Sequence, residues 1–236
     1  LVKNHFQKTK IIKGSIIYTM EIIDEKIFIS TNLENITFDG DNVSFMGYGF
    51  PNTRVIDTYF NNGKTFYASI DKIIEEKNDG YVAYKIEFPN DKTNIQTLLF
   101  DGEIEYIGTN KGLYTRLNKN KVKLIANTNV LSLTKSLSGD YLIGTQKGIY
   151  KLVDDKLKSY VLGGLLHQAS IKSPVRDIEV ISSNEIWIST FGMGFYLNDP
   201  GTFKNYSLKN NLDTFIMDIS KLNIESLDYE KTTYLN

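Results

Sequence analysis

An all-β chain of repeated four-stranded antiparallel sheets is what this sequence predicts, and three observations carry that expectation. The segment Glu105–Tyr114 (EYIGTNKGLY) is rewritten at Asp140–Tyr150 (DYLIGTQKGIY) and again at Glu185–Leu197 (EIWISTFGMGFYL). The hydroxyl residues that close such runs recur at near-constant spacing. Thr31, Ser69, Thr109, Thr145, Thr190 and Ser226 stand 38, 40, 36, 45 and 36 residues apart, by subtraction of those positions. Finally, no stretch longer than about ten residues keeps apolar positions at helical spacing, so helix content should be very low. Four strands per unit of about 40 residues is the signature of a β-propeller blade, in which ring neighbours cover the apolar faces that a lone sheet leaves wet.

Each unit has the same internal order. An extended run comes first: Ile16–Ile23, Thr53–Phe60, Thr93–Phe100, Asn129–Ser136, Val175–Ser182 and Asp213–Ser220. These runs are rich in β-branched and aromatic residues, which favour strands. A tight turn follows, as at Asn61–Lys64, Asp101–Glu103 or Ser138–Asp140, where Gly and Asn supply the positive φ of a hairpin. Then come the strand that ends on the hydroxyl marker, a short loop, and a third strand such as Gly112–Leu117 or Gly148–Val153. A further polar turn leads to a fourth strand, for example Leu157–Leu162 or Phe203–Leu208. The units fall at about 16–50, 53–90, 93–126, 128–163, 175–209, and 213–236 plus 1–12. Gly108 and Gly144 are expected where a second strand approaches the next blade closely, and Trp187 is expected as an inward core aromatic.

The sixth unit stops early, and the strand-like His5–Ile12 has no unit before it. One reading has the N-terminal segment supply the outer strand of the last blade, closing a six-bladed ring without free edges. The other takes the chain as a slice of a longer propeller array. In either case the start, Leu1–Lys10, reads as that of a processed or excised piece.

Tyr106-Ile-Gly-Thr109 with Gly112-Leu-Tyr114 resembles the two-component regulator propeller repeat, as do Leu142-Ile-Gly-Thr145 with Gly148-Ile-Tyr150. Trp187-Ile-Ser-Thr190 with Gly194-Phe-Tyr196 is similar, with Ser189 in place of glycine. The match is good over roughly the second half. The first two copies lack the later glycine, having Glu34 and Lys72 there. The resemblance implies a non-catalytic sensory region of a hybrid two-component system. Such a region is extracytoplasmic, here periplasmic, recognises an oligosaccharide, and forms a homodimer through the full-length receptor. A propeller scaffold of a surface or secretion system, with a protein partner, is the alternative that the same resemblance leaves open. A carbohydrate-active enzyme ranks last.

Composition narrows the classes. A net charge of −1 gives no broad attraction for nucleic acid or anionic membrane. No apolar run reaches the roughly 18 residues of a bilayer span. The chain has no cysteine, which excludes disulfides, thiolate metal sites and cysteine nucleophiles. Two histidines, His5 and His167, are too few and too separated for a metal cluster. Gly192-Met-Gly194 starts like a dinucleotide fingerprint, but Leu197 ends the match. Asp39–Asn42 is a strand turn lacking the further carboxylates of a calcium loop. No Gly-x-Ser-x-Gly elbow occurs. No cofactor, metal or catalytic residue is expected.

Two places remain for a ligand. The long gap carries extra residues in Leu162–Pro174 and one more in Phe191–Gly194, loop types that alternating strand direction puts on one face of the ring. Leu165, His167 and Gln168, beside Phe191 and Met193, either line a face for sugar or protein, or pack an insertion onto the sheet edges. The first strands line the central channel, so Arg54, Asp57, Arg176 and Asp177 either offer paired hydrogen bonds to a polyol or carboxylate, or form salt bridges within the ring.

Overall fold

Alternating strand runs broken by Asn-Gly, Asp-Gly and Asp-Asp turns fold into five antiparallel meanders of four strands each. The computed structural model describes residues 16–23, 25–46, 49–116, 120–162, 170–182, 185–199 and 202–206. The first sheet holds β1 (Ile17–Ile23), β2 (Lys26–Thr31), β3 (Asn35–Phe38) and β4 (Val43–Phe45). The second holds β5 (Asp57–Asn61), β6 (Lys64–Ala68), β7 (Lys72–Lys77) and β8 (Gly80–Lys85). The third holds β9 (Ile95–Asp101), β10 (Ile104–Thr109), β11 (Leu113–Arg116) and β12 (Val122–Ala126). In the fourth are β13 (Val130–Lys135), β14 (Tyr141–Thr145), β15 (Gly148–Val153) and β16 (Lys156–Ser159). The fifth has β17 (Val175–Val180), β18 (Ile186–Thr190), β19 (Phe195–Asp199) and β20 (Thr202–Tyr206). This is an all-β propeller of four-stranded antiparallel blades, with no helix among the described residues.

Five blades stand there, against the six that the repeat predicts. The sixth unit, 213–236 plus 1–12, with its marker Ser226 and the closing splice, lies outside the described residues. Among the described residues the expected tight turns form. Asn62 (φ 51°) and Gly63 (φ 73°) are both left-handed, which matches a two-residue loop to the right-handed twist of its strands. Asp154 (φ 51°) and Asp155 (φ 56°) do the same with two aspartates.

Apolar clusters fill the gaps between consecutive sheets. Phe28, Val55, Tyr67 and Ile74 join the first two blades. Ile73, Ile95, Leu98 and Ile107 belong to the layer between the second and third. Leu113, Val130 and Ile143 lie between the third and fourth, and Leu142, Val175 and Ile188 between the fourth and fifth. Each fully buried side chain of this kind contributes about 1.5–3 kcal/mol. A Cβ on Gly108 would stand 2.7 Å from Val130 Cγ1, and one on Gly144 only 2.9 Å from the Val175 carbonyl oxygen. Both glycines are therefore points of closest approach to the next blade, as their repetition implies. The first blade has Ser30 in that place, and its hydroxyl accepts the Val55 N–H at 3.2 Å.

The hydroxyl markers also acquire a physical reason. Thr109 Oγ1 donates to Gly112 O at 2.8 Å and accepts the Gly112 and Lys111 N–H groups at 2.8 and 3.1 Å. Thr31, Thr145 and Thr190 donate to Glu34 O, Gly148 O and Gly194 O at 2.9, 2.9 and 2.6 Å. Each marker thus satisfies the backbone of the loop that follows it. Glu34 serves as well as glycine because only its backbone is used, its carbonyl accepting from Thr31 Oγ1 and its N–H donating to it at 3.0 Å. Ser69 differs, sharing its hydrogen bond with Thr53 Oγ1 at 2.5 Å. Replacing Thr109 by Val leaves buried backbone groups unpaired, so T109V should lose about 1–3 kcal/mol, read as a fall in melting temperature.

Trp187, expected in the core, is half-buried among the described residues, and its indole Nε1 donates to Glu185 Oε1 at 2.8 Å. The reason is strand alternation. Ile186 and Ile188 pack toward the fourth blade, which turns Trp187 to the face that Tyr106 of the third blade buries against its following blade. The unit following β20 lies outside the described residues.

Candidate functional site

The innermost strands share one irregularity. The register shifts by a residue between Ile17 and Thr19, between Ile95 and Thr97, between Val130 and Ser132, and between Val175 and Asp177. In the second blade the pairing starts at Asp57, while the Ile56 N–H donates to Ala68 O at 2.9 Å. The extra residues are Tyr18, Ile56, Gln96, Leu131 and Arg176. A bulge re-aims a side chain away from the alternation of its strand. Here all five line one cavity of about 440 Å³ at one end of the central channel, with Arg54, Asn94 and Asn110. One step deeper come Thr19, Asp57, Thr97, Ser132 and Asp177, then Glu21, Tyr59, Leu133 and Glu179. The channel is thus mixed and basic at this mouth and acidic below it.

Polar side chains around the mouth are positioned by one another. Gln96 Nε2 donates to Asn129 Oδ1 at 2.6 Å, and Asn129 Nδ2 to Gln146 Oε1 at 3.4 Å. Asn110 Oδ1 accepts the Asn94 N–H at 2.8 Å while its Nδ2 donates to Lys92 O at 3.1 Å. The Arg54 guanidinium lies 3.6 Å from the centroid of the Tyr18 ring, and that of Arg176 lies 5.6 Å from the Phe191 centroid. Phe191 is 68% exposed and Met193 52% exposed, so this rim offers apolar surface to a partner.

The expected site residues separate accordingly. Arg54, Arg176 and Phe191 come together at the mouth, with Met193 in the same loop as Phe191. Leu165, His167 and Gln168 lie outside the described residues. Among the described residues neither arginine forms an ion pair. Asp57 lines the channel below the mouth and also bridges blades: its Oδ2 accepts the Leu98 N–H at 2.7 Å and its Oδ1 the Thr58 N–H at 2.9 Å. Asp177 Oδ1 accepts the Ile178 N–H at 2.9 Å. Tyr18, Ile56, Gln96 and Leu131 were not anticipated. The signal for them is an aliphatic residue, any residue, then Thr, Ser or Asp, present at 17–19, 55–57, 95–97, 130–132 and 175–177.

Burial pushes the Asp57 carboxyl up to about 7, against its backbone donors, and the charge of Glu21 adds to the rise. Burial, then Asp177 and Glu179, raise Glu21. A carboxyl whose folded pKa exceeds its ordinary 3.8 binds its proton more tightly in the fold. Its ionisation therefore costs stability progressively as pH rises from about 4 to about 7. Relative to D57N, the parent should lose roughly 2–4 kcal/mol across that window and nothing further above it. Parallel melting-temperature profiles for the two proteins would contradict this.

Three solved structures share the architecture. The extracellular domain of BT4673 of B. thetaiotaomicron, described as a one-component system, is 21% identical, with a TM-score of 0.63, over 84% of this chain and 28% of that one. The extracellular domain of the BT3049 hybrid two-component system of the same organism is 15% identical, with a TM-score of 0.62, over 85% and 29%. A catalytically inactive virginiamycin B lyase from Staphylococcus aureus, solved with quinupristin, is 11% identical, with a TM-score of 0.61, over 84% and 71%. No family model and no curated protein matches the chain. At these identities the likeness establishes the propeller fold. It also agrees with the resemblance read from the repeat, because two of the three are extracellular domains of such regulatory systems. The chain spans less than a third of the length of either.

Proposed function

We propose that this chain is a non-catalytic, ligand-binding part of an extracytoplasmic sensory region of a two-component signalling protein, facing the periplasm and recognising a glycan-like ligand. The observation that carries the reading is the repeated bulge. Four blades each give up one ladder position, and the second places Ile56 just ahead of its ladder, so that all five aim a side chain at a single channel mouth. The side chains so aimed are aromatic, aliphatic, amide and guanidinium. An aromatic face covers the C–H side of a sugar ring, and amides held by their neighbours meet its hydroxyls with little ordering cost. The likeness to two extracellular sensor domains supports the placement outside the cytoplasm. The dimer would form through the full-length receptor, beyond this chain.

The test is calorimetric titration of the 236-residue chain against neutral and acidic oligosaccharides, with Y18A as the variant. Saturable binding should appear for at least one class, and Y18A should weaken it about ten-fold, the loss of one well-packed aromatic contact. Absence of binding across both classes, with a protein partner recovered on the mouth face instead, overturns the reading in favour of a scaffold.

A further inference from the structure

We infer that the channel mouth selects an anionic saccharide, one carrying a carboxylate or a sulfate ester, and holds that group between Arg54 and Arg176. The inference rests on the proposed sensory reading and names the ligand class for it. Three independent features of the mouth converge on it.

The first is the state of the two guanidiniums. Both line the same 440 Å³ cavity, both are exposed, and neither has an ion-pair or hydrogen-bond partner among the described residues. Each lies over an aromatic ring, Arg54 at 3.6 Å from the Tyr18 centroid and Arg176 at 5.6 Å from the Phe191 centroid. A ring beneath a guanidinium uses none of its N–H donors, and that donor fork matches two oxygens of a carboxylate or sulfate. An arginine already ordered on a ring also loses less freedom on binding. Lys135 and Arg116, by contrast, already face Asp101 and Glu105.

The second is the charge of the two faces. Loops on the mouth face present exposed Lys92, Lys111, Lys147 and Lys172, which with the two arginines outnumber Glu34, Asp71, Glu87 and Asp91. The turns at the opposite end carry Glu25, Asp39, Asp41, Asp79, Glu103, Asp154 and Asp155, which outnumber Lys26, Lys64, Lys77, Lys121 and Lys156 beside them. A chain of net charge −1 is therefore polarised, and an anion is drawn to the mouth face rather than the other.

The third feature fixes the depth. Below the mouth the channel walls carry Glu21, Asp57, Asp177 and Glu179. Burial first, and then mutual repulsion, hold the carboxyls of Glu21 and Asp57 above their ordinary range, and a further anion is unwelcome there. The ligand's charged group stops at the arginines, and its hydroxyl-bearing rings spread over Gln96, Asn94 and Asn110.

The experiment titrates the 236-residue chain with trigalacturonate, with neutral galactotriose and with a sulfated, uronate-free carrageenan oligosaccharide. At least one anionic probe should bind about ten-fold or more tightly than the neutral one, as charge-assisted hydrogen bonds require, and its affinity should fall with ionic strength. Preference for trigalacturonate assigns a carboxylate, and preference for the carrageenan fragment a sulfate ester. The R54Q/R176Q double variant should lose that preference while keeping the parent's melting temperature, and K156Q on the opposite rim should change nothing. If galactotriose binds as tightly as the anions and the double variant binds like the parent, the anion inference is overturned while the sensory reading stands. If none of the three binds, the inference falls, and the wider oligosaccharide titration decides the sensory reading separately.

Discussion

G148A should lower the melting temperature by about 6–12 °C, the equivalent of roughly 3 kcal/mol in a chain of this size. Two costs add at this position. Gly148 sits at φ +123°, a conformation closed to side-chain-bearing residues. A Cβ built there would also lie 1.9 Å from the Ile171 carbonyl oxygen. That atom is backbone in the segment that leads into β17, so relief requires the fourth and fifth blades to separate. The separation would strip contacts from Leu142, Ile149, Ile171 and Val175, which share one buried layer. G139A isolates the first cost. Gly139 is at φ +87° with nothing within 4 Å of its added carbon, so it should lose only about 1 kcal/mol of backbone strain. Equal melting temperatures for the two variants would show that the blades are not in contact at Gly148.

That dependence of each blade on its neighbour explains which features could be read from the chain alone. Ile-Gly-Thr and Gly-aliphatic-Tyr recur because the same inter-blade surface must be built each time, so sequence repetition and packing are one fact. The channel arginines were legible for a similar reason, since a first strand must line the channel. The bulge was not, although its pattern stands in the sequence five times over. A bulge is a relation between two strands, and only pairing Val130 with Thr145 and Ser132 with Gly144 leaves Leu131 unmatched. Tyr18, Ile56 and Gln96 went unnoticed for the same cause. Asp57 shows the converse error of emphasis: its position near the channel was foreseen, but its hydrogen bond to the Leu98 N–H crosses between blades, a contact no local pattern encodes. Trp187 is half-buried because the alternation of β18 turns it away from the layer shared with the fourth blade.

R116M should cost about 3–5 kcal/mol at pH 8, the largest loss expected of any single side chain here. Glu105 on β10 and Arg116 on β11 form an ion pair with 9% and 11% of their side chains exposed, and Arg116 Nη1 reaches both carboxylate oxygens at 3.1 and 2.9 Å. The guanidinium also lies 5.1 Å from the Tyr84 ring centroid, tying the third blade to the second. Burial raises the Glu105 pKa, and Arg116 is the main force opposing that rise, while Glu75 adds to it. Without the arginine the carboxyl moves further up. A folded pKa above the unfolded value means that stability declines as pH climbs from about 4.5 through the folded pKa. The melting-temperature deficit of R116M against the parent should therefore be smaller at pH 5 than at pH 8. E105Q/R116M removes the stranded charge and should recover much of the loss at pH 8, because an uncharged pair of similar volume avoids the desolvation that the ion pair offsets. A deficit in R116M that is independent of pH, and unrelieved in the double variant, would mean that Arg116 acts through its packing on Tyr84 and not through its charge.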